Sequence, residues 1–392
     1  YKLLNTGDVE TQYRSLFTSE ELNTTEVIWG IAFKKDLRMH SITWKLFSAS
    51  FGANWSLVRP FVNMYLMRDG NRFTDRTDYA TMQYMDEFQN RDCRLMQTVI
   101  SPSYQRKISG TVKPDAPNFS MTSTGYQLIK WAIDDDVHVG KATANNSIPI
   151  FRYAEVLLNL AESACGAGGT YHAEGVKALK AVRGRVGYTS ANNYGLDAAI
   201  ETDRAKLFEA ILYERQVELA FEGKRAYDMR RWMLFDGGVG QGALNASWAL
   251  SGFGGNTCTY LGVTPMNERG KRYRIEINVE GTGSANNDSD PIKNVERPAA
   301  LTLNEKIATE ADGETILDPA VSSICTFYDT YFSRKDISLD GNVLDINPYF
   351  QPRYYFFGLR QSAQQTNATL YQTIGWEDYA HGGMGTFDPL AE

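Results

Sequence analysis

Hydrophobic positions recur at helical spacing mainly in the middle of this chain. Over residues 151–164, Val156, Leu157, Leu160, Ala161 and Ala164 share one stripe of a helix, and Gly166-Ala167-Gly168-Gly169 ends it. A second helix is predicted over about 173–186, closed by Gly187 just past its end, where glycine is favoured. A third, longer helix is predicted over 202–222 and a fourth over 224–235. The first two form a hairpin of about 37 residues, close to the tetratricopeptide period of roughly 34. One such pair cannot bury its own apolar stripe. The stripe is therefore expected to pack on helices that precede residue 1 in a longer protein.

On either side of this block the periodicity breaks up. Residues 1–34 mix a short helical stretch with an extended run, Glu26-Val27-Ile28-Trp29-Gly30-Ile31-Ala32-Phe33. Residues 35–150 are rich in Asn, Asp, Ser, Thr, Gly and aromatics, a composition of loops with brief helices and strands. Residues 236–347 return to Gly/Asn/Ser-rich loops, with one strand over 272–280 in which Tyr273, Ile275, Ile277 and Val279 alternate with polar residues. The tail is aromatic and includes Tyr354-Tyr355-Phe356-Phe357. No low-complexity linker divides the chain. The expected organisation is an irregular ligand-binding lobe over 1–150, a helical scaffold over 151–235, and a loop-rich part over 236–392 that packs on the scaffold.

Composition sharpens this picture at one point. Aromatics make up 12% of the chain, with 22 Tyr, 19 Phe and 7 Trp. They have two destinations: a Tyr-rich core, or exposed platforms for sugar rings and peptide side chains. A formal net charge of −7 argues against nucleic acid, which calls for a basic footprint. Cys93, Cys165, Cys258 and Cys325 stand alone, and the 4 histidines have no ligand spacing, so no metal site is expected. No run approaches the roughly 18 apolar residues of a membrane helix. The opening Tyr1-Lys2-Leu3-Leu4 reads as the mature or truncated part of a longer precursor.

Catalytic signatures do not survive inspection. Gly238-Val239-Gly240-Gln241-Gly242-Ala243 fits a GxGxxA pattern but follows a helix, whereas a dinucleotide cradle follows a strand. Asp336-Ile337-Ser338-Leu339-Asp340-Gly341 resembles the front of a calcium loop, yet the twelfth position is Asn347 and not Glu. Asp134-Asp135-Asp136 and Asp288-Ser289-Asp290 read as solvated loop charge. No cofactor, metal or turnover is expected.

The densest signal runs from Glu214 to Trp232. Arg215 falls on the stripe Phe208, Leu212, Arg215, Leu219 and is expected to be drawn inside. Glu218, Glu222 and Arg225 follow at helical spacing, with Asp228 beyond, enough to satisfy it. The block is read as a structural charge network, because an unpaired buried charge costs several kcal/mol.

With two more blocks, this stretch resembles the SusD/RagB family. The first is Arg152-Tyr153-Ala154-Glu155-Val156-Leu157-Leu158-Asn159-Leu160-Ala161-Glu162; the second is Ala178-Leu179 with Val182-Arg183-Gly184-Arg185-Val186-Gly187. Tyr65-Leu66-Met67-Arg68-Asp69-Gly70, Asn90-Arg91-Asp92-Cys93-Arg94-Leu95, Thr124-Gly125-Tyr126 with Lys130, and Asn367, Leu370, Gln372, Gly375 and Trp376 match further family segments. Cys93 stands where the family has proline, and Phe357-Gly358-Leu359 where it often has Pro-Ile-Pro. The resemblance implies a mostly α fold, with tetratricopeptide-like helix pairs supporting an irregular loop-rich lobe that has a few short strands. It also implies a surface lipoprotein of the Bacteroidetes outer membrane, anchored through an N-terminal lipid that this chain does not include. Its partner would be a SusC-like TonB-dependent transporter and its ligand an oligosaccharide, or a peptide in some members. The first helices of the family are expected to lie before residue 1.

The ligand platform is placed on residues 44–59. Trp44, Phe47, Phe51 and Trp55 recur at spacings of three and four, which also fits a buried helical face, but Ser48, Ser50, Gly52 and Asn54 fill the gaps. Trp44, Phe51 and Trp55 are read as ring platforms, Asn54 and Arg59 as hydroxyl-binding groups, and Tyr104 in the Ser101-Pro102-Ser103-Tyr104 loop as a further contact. The competing readings are peptide capture, a glycoside hydrolase with two carboxylates across a cleft, and a ligand-free helical scaffold.

Overall fold

A computed structural model describes residues 1–232 apart from 49, 53, 54, 119, 120 and 123, the backbone of 273–279 and 283–284, and residues 326–336 and 352–389, with backbone alone at 335, 336 and 352. In chain order, α1 spans Gln12–Thr18, β1 Val27–Ile31, α2 Ile42–Phe47, α3 Arg59–Asn63, α4 Cys93–Thr98, β2 Gln105–Ile108, β3 Thr111–Pro114 and β4 Ile148–Arg152. Four helices follow: α5 (Tyr153–Ala167), α6 (His172–Arg185), α7 (Arg204–Glu218) and α8 (Arg225–Arg231). The strand expected over 272–280 is present as Tyr273–Val279, paired antiparallel with Phe332–Asp336. The fold is mostly helical with a few short strands, as the sequence implies.

Pairing partners set the helix boundaries. β1 and β4 run antiparallel, with Val27 opposite Arg152 and Ile31 opposite Ile148. Phe151 is thereby held in a strand, and the helix expected from 151 begins at Tyr153. Asp203 caps α7 by accepting from the backbone N–H groups of Ala205 and Lys206. At the other end α7 stops at Glu218, short of 222, and Phe221 takes a left-handed φ of 61°.

One face of the α5–α6 hairpin is covered from within the chain. Leu158, Ala161 and Cys165 of α5 and Val176, Leu179 and Val182 of α6 pack on Leu207, Phe208, Ile211 and Leu212 of α7. Of the stripe expected to need cover, Ala161 and Ala164 are buried, Val156 and Leu157 are half-buried and Leu160 is 39% exposed. α7 is a less obvious partner in the sequence because Glu214, Arg215, Gln216 and Glu218 are buried on it and dilute its apolar stripe. The hairpin helices cross closely: a β-carbon on Gly175 would stand 3.0 Å from the Ala161 carbonyl oxygen and 3.3 Å from Cβ of Ala164.

The second core belongs to the loop-rich part, and nearly half of its members are aromatic. Tyr13, Phe17, Tyr65, Tyr84, Phe88 and Tyr126 are buried in it, joined by Phe327, Tyr328 and Phe332. Large rings suit a lobe with few regular elements, since each buries much area without needing a repeating backbone. The family segments serve this scaffold. Buried Arg91 donates to the carbonyls of Val62 at 2.7 Å and Tyr65 at 2.6 Å, and lies 3.9 Å above the Phe73 ring. Trp376 donates through Nε1 to the carbonyls of Arg353 and Phe356, each at 3.2 Å.

Candidate functional site

Two constellations stand out in the sequence, and the structure separates them by their access to water. The first is the charge network around α7, which is dry. Glu218 accepts from Arg152 Nη1 at 2.6 Å and Arg94 Nη1 at 2.8 Å, and Arg185 also donates to it. Glu222 accepts from Arg152 Nη2 and from Lys130 Nζ, both at 2.7 Å. Glu214 meets Arg94 at 2.5 Å and Arg183 at 3.0 Å, and Glu26 meets Arg152 at 2.8 Å. Burial opposes the Glu218 carboxylate, but Arg185, Arg152 and Arg94 outweigh it and hold its pKa far below the ordinary value. Burial also pulls the Lys130 ammonium down to about 8, with Glu222 working the other way.

Arg215 is buried, as expected, and of the expected network it is Asp228, not Glu218 or Glu222, that pairs with it. Its Nε and Nη2 reach the two oxygens of Asp228 at 3.0 and 3.1 Å, and Nη1 donates to Asn159 at 2.7 Å. Helical spacing pointed to Glu218 and Glu222 instead. The helix ends at Glu218, so the chain turns Glu222 toward Arg152 and brings Asp228, on the next helix, up to Arg215. Arg225 opens α8 and is half-buried.

The second constellation is open to solvent. α2 ends at Phe47, so the three-and-four spacing of the aromatics does not continue as a helical face. Phe47 turns into the core, whereas Phe51 is 62% and Trp55 50% exposed. Half-buried Trp44 lies against Phe51, with ring centroids 5.5 Å apart at 33°. Lys45 braces the pair: its Nζ lies 4.7 Å from the Trp44 ring and donates to the Phe51 carbonyl at 3.0 Å. Ser48 Oγ accepts from the Phe51 N–H at 3.1 Å. Lys45 was missed in the sequence, because a contact across a helix end follows no helical spacing.

The remaining expected site residues fare differently. Arg59 is only 2% exposed, donates to Glu87 Oε1 at 2.6 Å and lies 4.7 Å over the Tyr79 ring. Tyr104 is 6% exposed and donates to Asp134 Oδ1 at 2.5 Å. Both are largely buried and committed to a carboxylate, unlike the open contacts expected of them, although Tyr104 still lines a surface recess with Ser103 and Asp134. Asp134, read as solvated, is in fact paired with Arg14 at 2.5 Å. Asn54 lies outside the described residues. Among the described residues, no group of three His, Cys, Asp or Glu could hold a metal ion, and no helix is long and apolar enough to cross a membrane.

The model of the SusD family matches residues 25–376. A crystal structure of a SusD-like protein from Bacteroides fragilis NCTC 9343 is similar, with a TM-score of 0.47 and 22% identity, covering 59% of this chain and 48% of that one. The chain thus spans about half the length of that protein. No match is found among the curated proteins.

Proposed function

The chain belongs to the SusD family, and from that premise we propose that it captures oligosaccharides at the cell surface and passes them to a SusC-like TonB-dependent transporter. In this reading the protein sits on the outer face of the outer membrane, held by an N-terminal lipid, and breaks no bonds in its ligand. The irregular part over 1–150 carries the ligand, the helices of 151–235 brace it, and 236–392 packs on them. The observation that carries the reading is the exposed aromatic stretch, with Trp44 and Phe51 held against each other and Trp55 open beside them in sequence. Sugar rings present apolar C–H faces that pack on such surfaces.

The test is calorimetry with oligosaccharides from starch, xylan and mannan, and with a mixed tryptic peptide pool as the alternative ligand. Trp44→Ala and Trp55→Ala should each weaken glycan binding about tenfold, roughly 1.4 kcal/mol, with the melting temperature unchanged. Binding of peptides in place of glycans would move the protein to the peptide-binding members. A collapsed melt would return the residues to the core.

A further inference from the structure

Between the turn at residues 69–72 and the first turns of α7, the surface opens into a recess of about 610 Å³. That volume is in the range of small-molecule sites, and none of its lining residues belongs to the 44–59 stretch. Its walls are unusually constrained. A β-carbon on Gly70 would stand 2.1 Å from Cα of Gly195, so two loops meet backbone to backbone. Asn193, Tyr194 and Gly195 are left-handed in succession, at φ 49°, 57° and 64°. Non-glycine residues hold that conformation only where their surroundings enforce it. Arg183 does so here: Nε donates to the Tyr194 carbonyl at 2.6 Å, Nη2 to that of Gly195 at 2.9 Å, and Nη1 pairs with Glu214 at 3.0 Å.

The lining combines an apolar side, including Leu196 and Ile200, with the carboxylates Asp69, Asp75, Asp197 and Glu209 and the cations Arg72, Arg183 and Lys206. Glu209 is the informative one. Its side chain is only 22% exposed, and Lys206 approaches no nearer than 3.9 Å, too far for a hydrogen bond. Among the described residues its carboxylate accepts no hydrogen bond, and each carboxylate oxygen can accept from a hydroxyl donor. A lining with one more carboxylate than cation offers no net attraction to uronic or sulfated sugars.

We propose that this recess binds one end of a neutral, hydroxyl-rich saccharide, with Glu209 accepting from adjacent hydroxyls and the apolar side meeting the C–H face of the ring. The ligand class rests on the oligosaccharide reading above; the position does not depend on the aromatic stretch. Saturation-transfer NMR with glucose, galactose, mannose, xylose and galacturonate tests it. At least one neutral sugar should bind the Trp44→Ala/Trp55→Ala protein as it binds the unaltered chain. Glu209→Ala and Ala210→Gln, the second of which fills the recess, should each weaken that binding at least tenfold without lowering the melting temperature. Neutral-sugar binding that vanishes with the tryptophans, or that persists undiminished in both recess variants, removes the recess and leaves the family reading standing. A preference for galacturonate overturns the neutral assignment. If the unaltered chain binds neither these sugars nor the longer oligosaccharides, both readings fall.

Discussion

Arg215 offers both edges of its guanidinium to neighbours: two nitrogens to buried Asp228 and a third to Asn159, which is exposed. Removing the cation leaves a buried carboxylate, still bound by Arg231 at 2.8 Å, but stripped of its planar two-point partner. Arg215→Ala should therefore lower stability by about 3–5 kcal/mol in urea unfolding, while affinity per folded molecule stays the same. Wild-type stability with lost binding would place Arg215 in a ligand site. Burial of this arginine was legible from the stripe Phe208, Leu212, Arg215, but which acid of the network pairs with it was not. Spacing ranks neighbours on a continuing helix, and the chain leaves the helix after Glu218. Arg59 teaches the same lesson from the other side. Its place beside a run of exposed aromatics hid a carboxylate, Glu87, that the fold brings from 28 residues away.

Among the elements, the α5–α6 hairpin was the most legible, because two stripes at 3.6-residue spacing extend over enough turns to be read. The elements of the first 150 residues run only four to seven residues, too short for periodicity to declare them. What the pattern did not reveal is how closely the hairpin helices cross. Gly175 lies within α6, where alanine would normally be favoured by about 1 kcal/mol, yet its added β-carbon would press on the backbone of α5 at Ala161. The two effects oppose each other in Gly175→Ala, which should be nearly neutral. In Gly175→Leu the extra side-chain volume has no room, and overpacking should destabilise by about 1–3 kcal/mol. Thermal melts of the pair check this. Equal melting temperatures for the alanine and leucine variants would mean that the crossing is looser than the structure shows.

At the scale of the whole molecule, the buried charges tie distant parts of the chain together. Glu26, Asp92, Glu214, Glu218 and Glu222 meet Arg94, Lys130, Arg152, Arg183 and Arg185. A net charge of −7 gives no hint of this, since composition counts charges without saying which are dry. The network fixes how the fold responds to acid. Burial raises the pKa of Asp92, Glu218 and Glu222, but the surrounding arginines, with Lys130 at Glu222, outweigh it, so each stays below its ordinary value of 3.8 or 4.5. A carboxylate with a depressed folded pKa contributes stability that is complete above its unfolded pKa and is lost as pH falls toward the folded one. Stability from these three groups should therefore be level from pH 7 to about pH 5 and fall below pH 4.5. The slope should reach about 4 kcal/mol per pH unit where the unfolded chain holds all three protons and the native network none. Urea unfolding at pH 7, 5, 4 and 3, followed by near-UV circular dichroism, measures it. Glu218→Gln should be less stable at pH 7, because its arginines lose their shared counter-charge. It should also show a shallower acid slope, because one of the three protons is no longer taken up. An acid slope identical in the two proteins would mean that Glu218 does not carry its charge in the native state, and the network would have to be reassigned around Glu214 and Glu222.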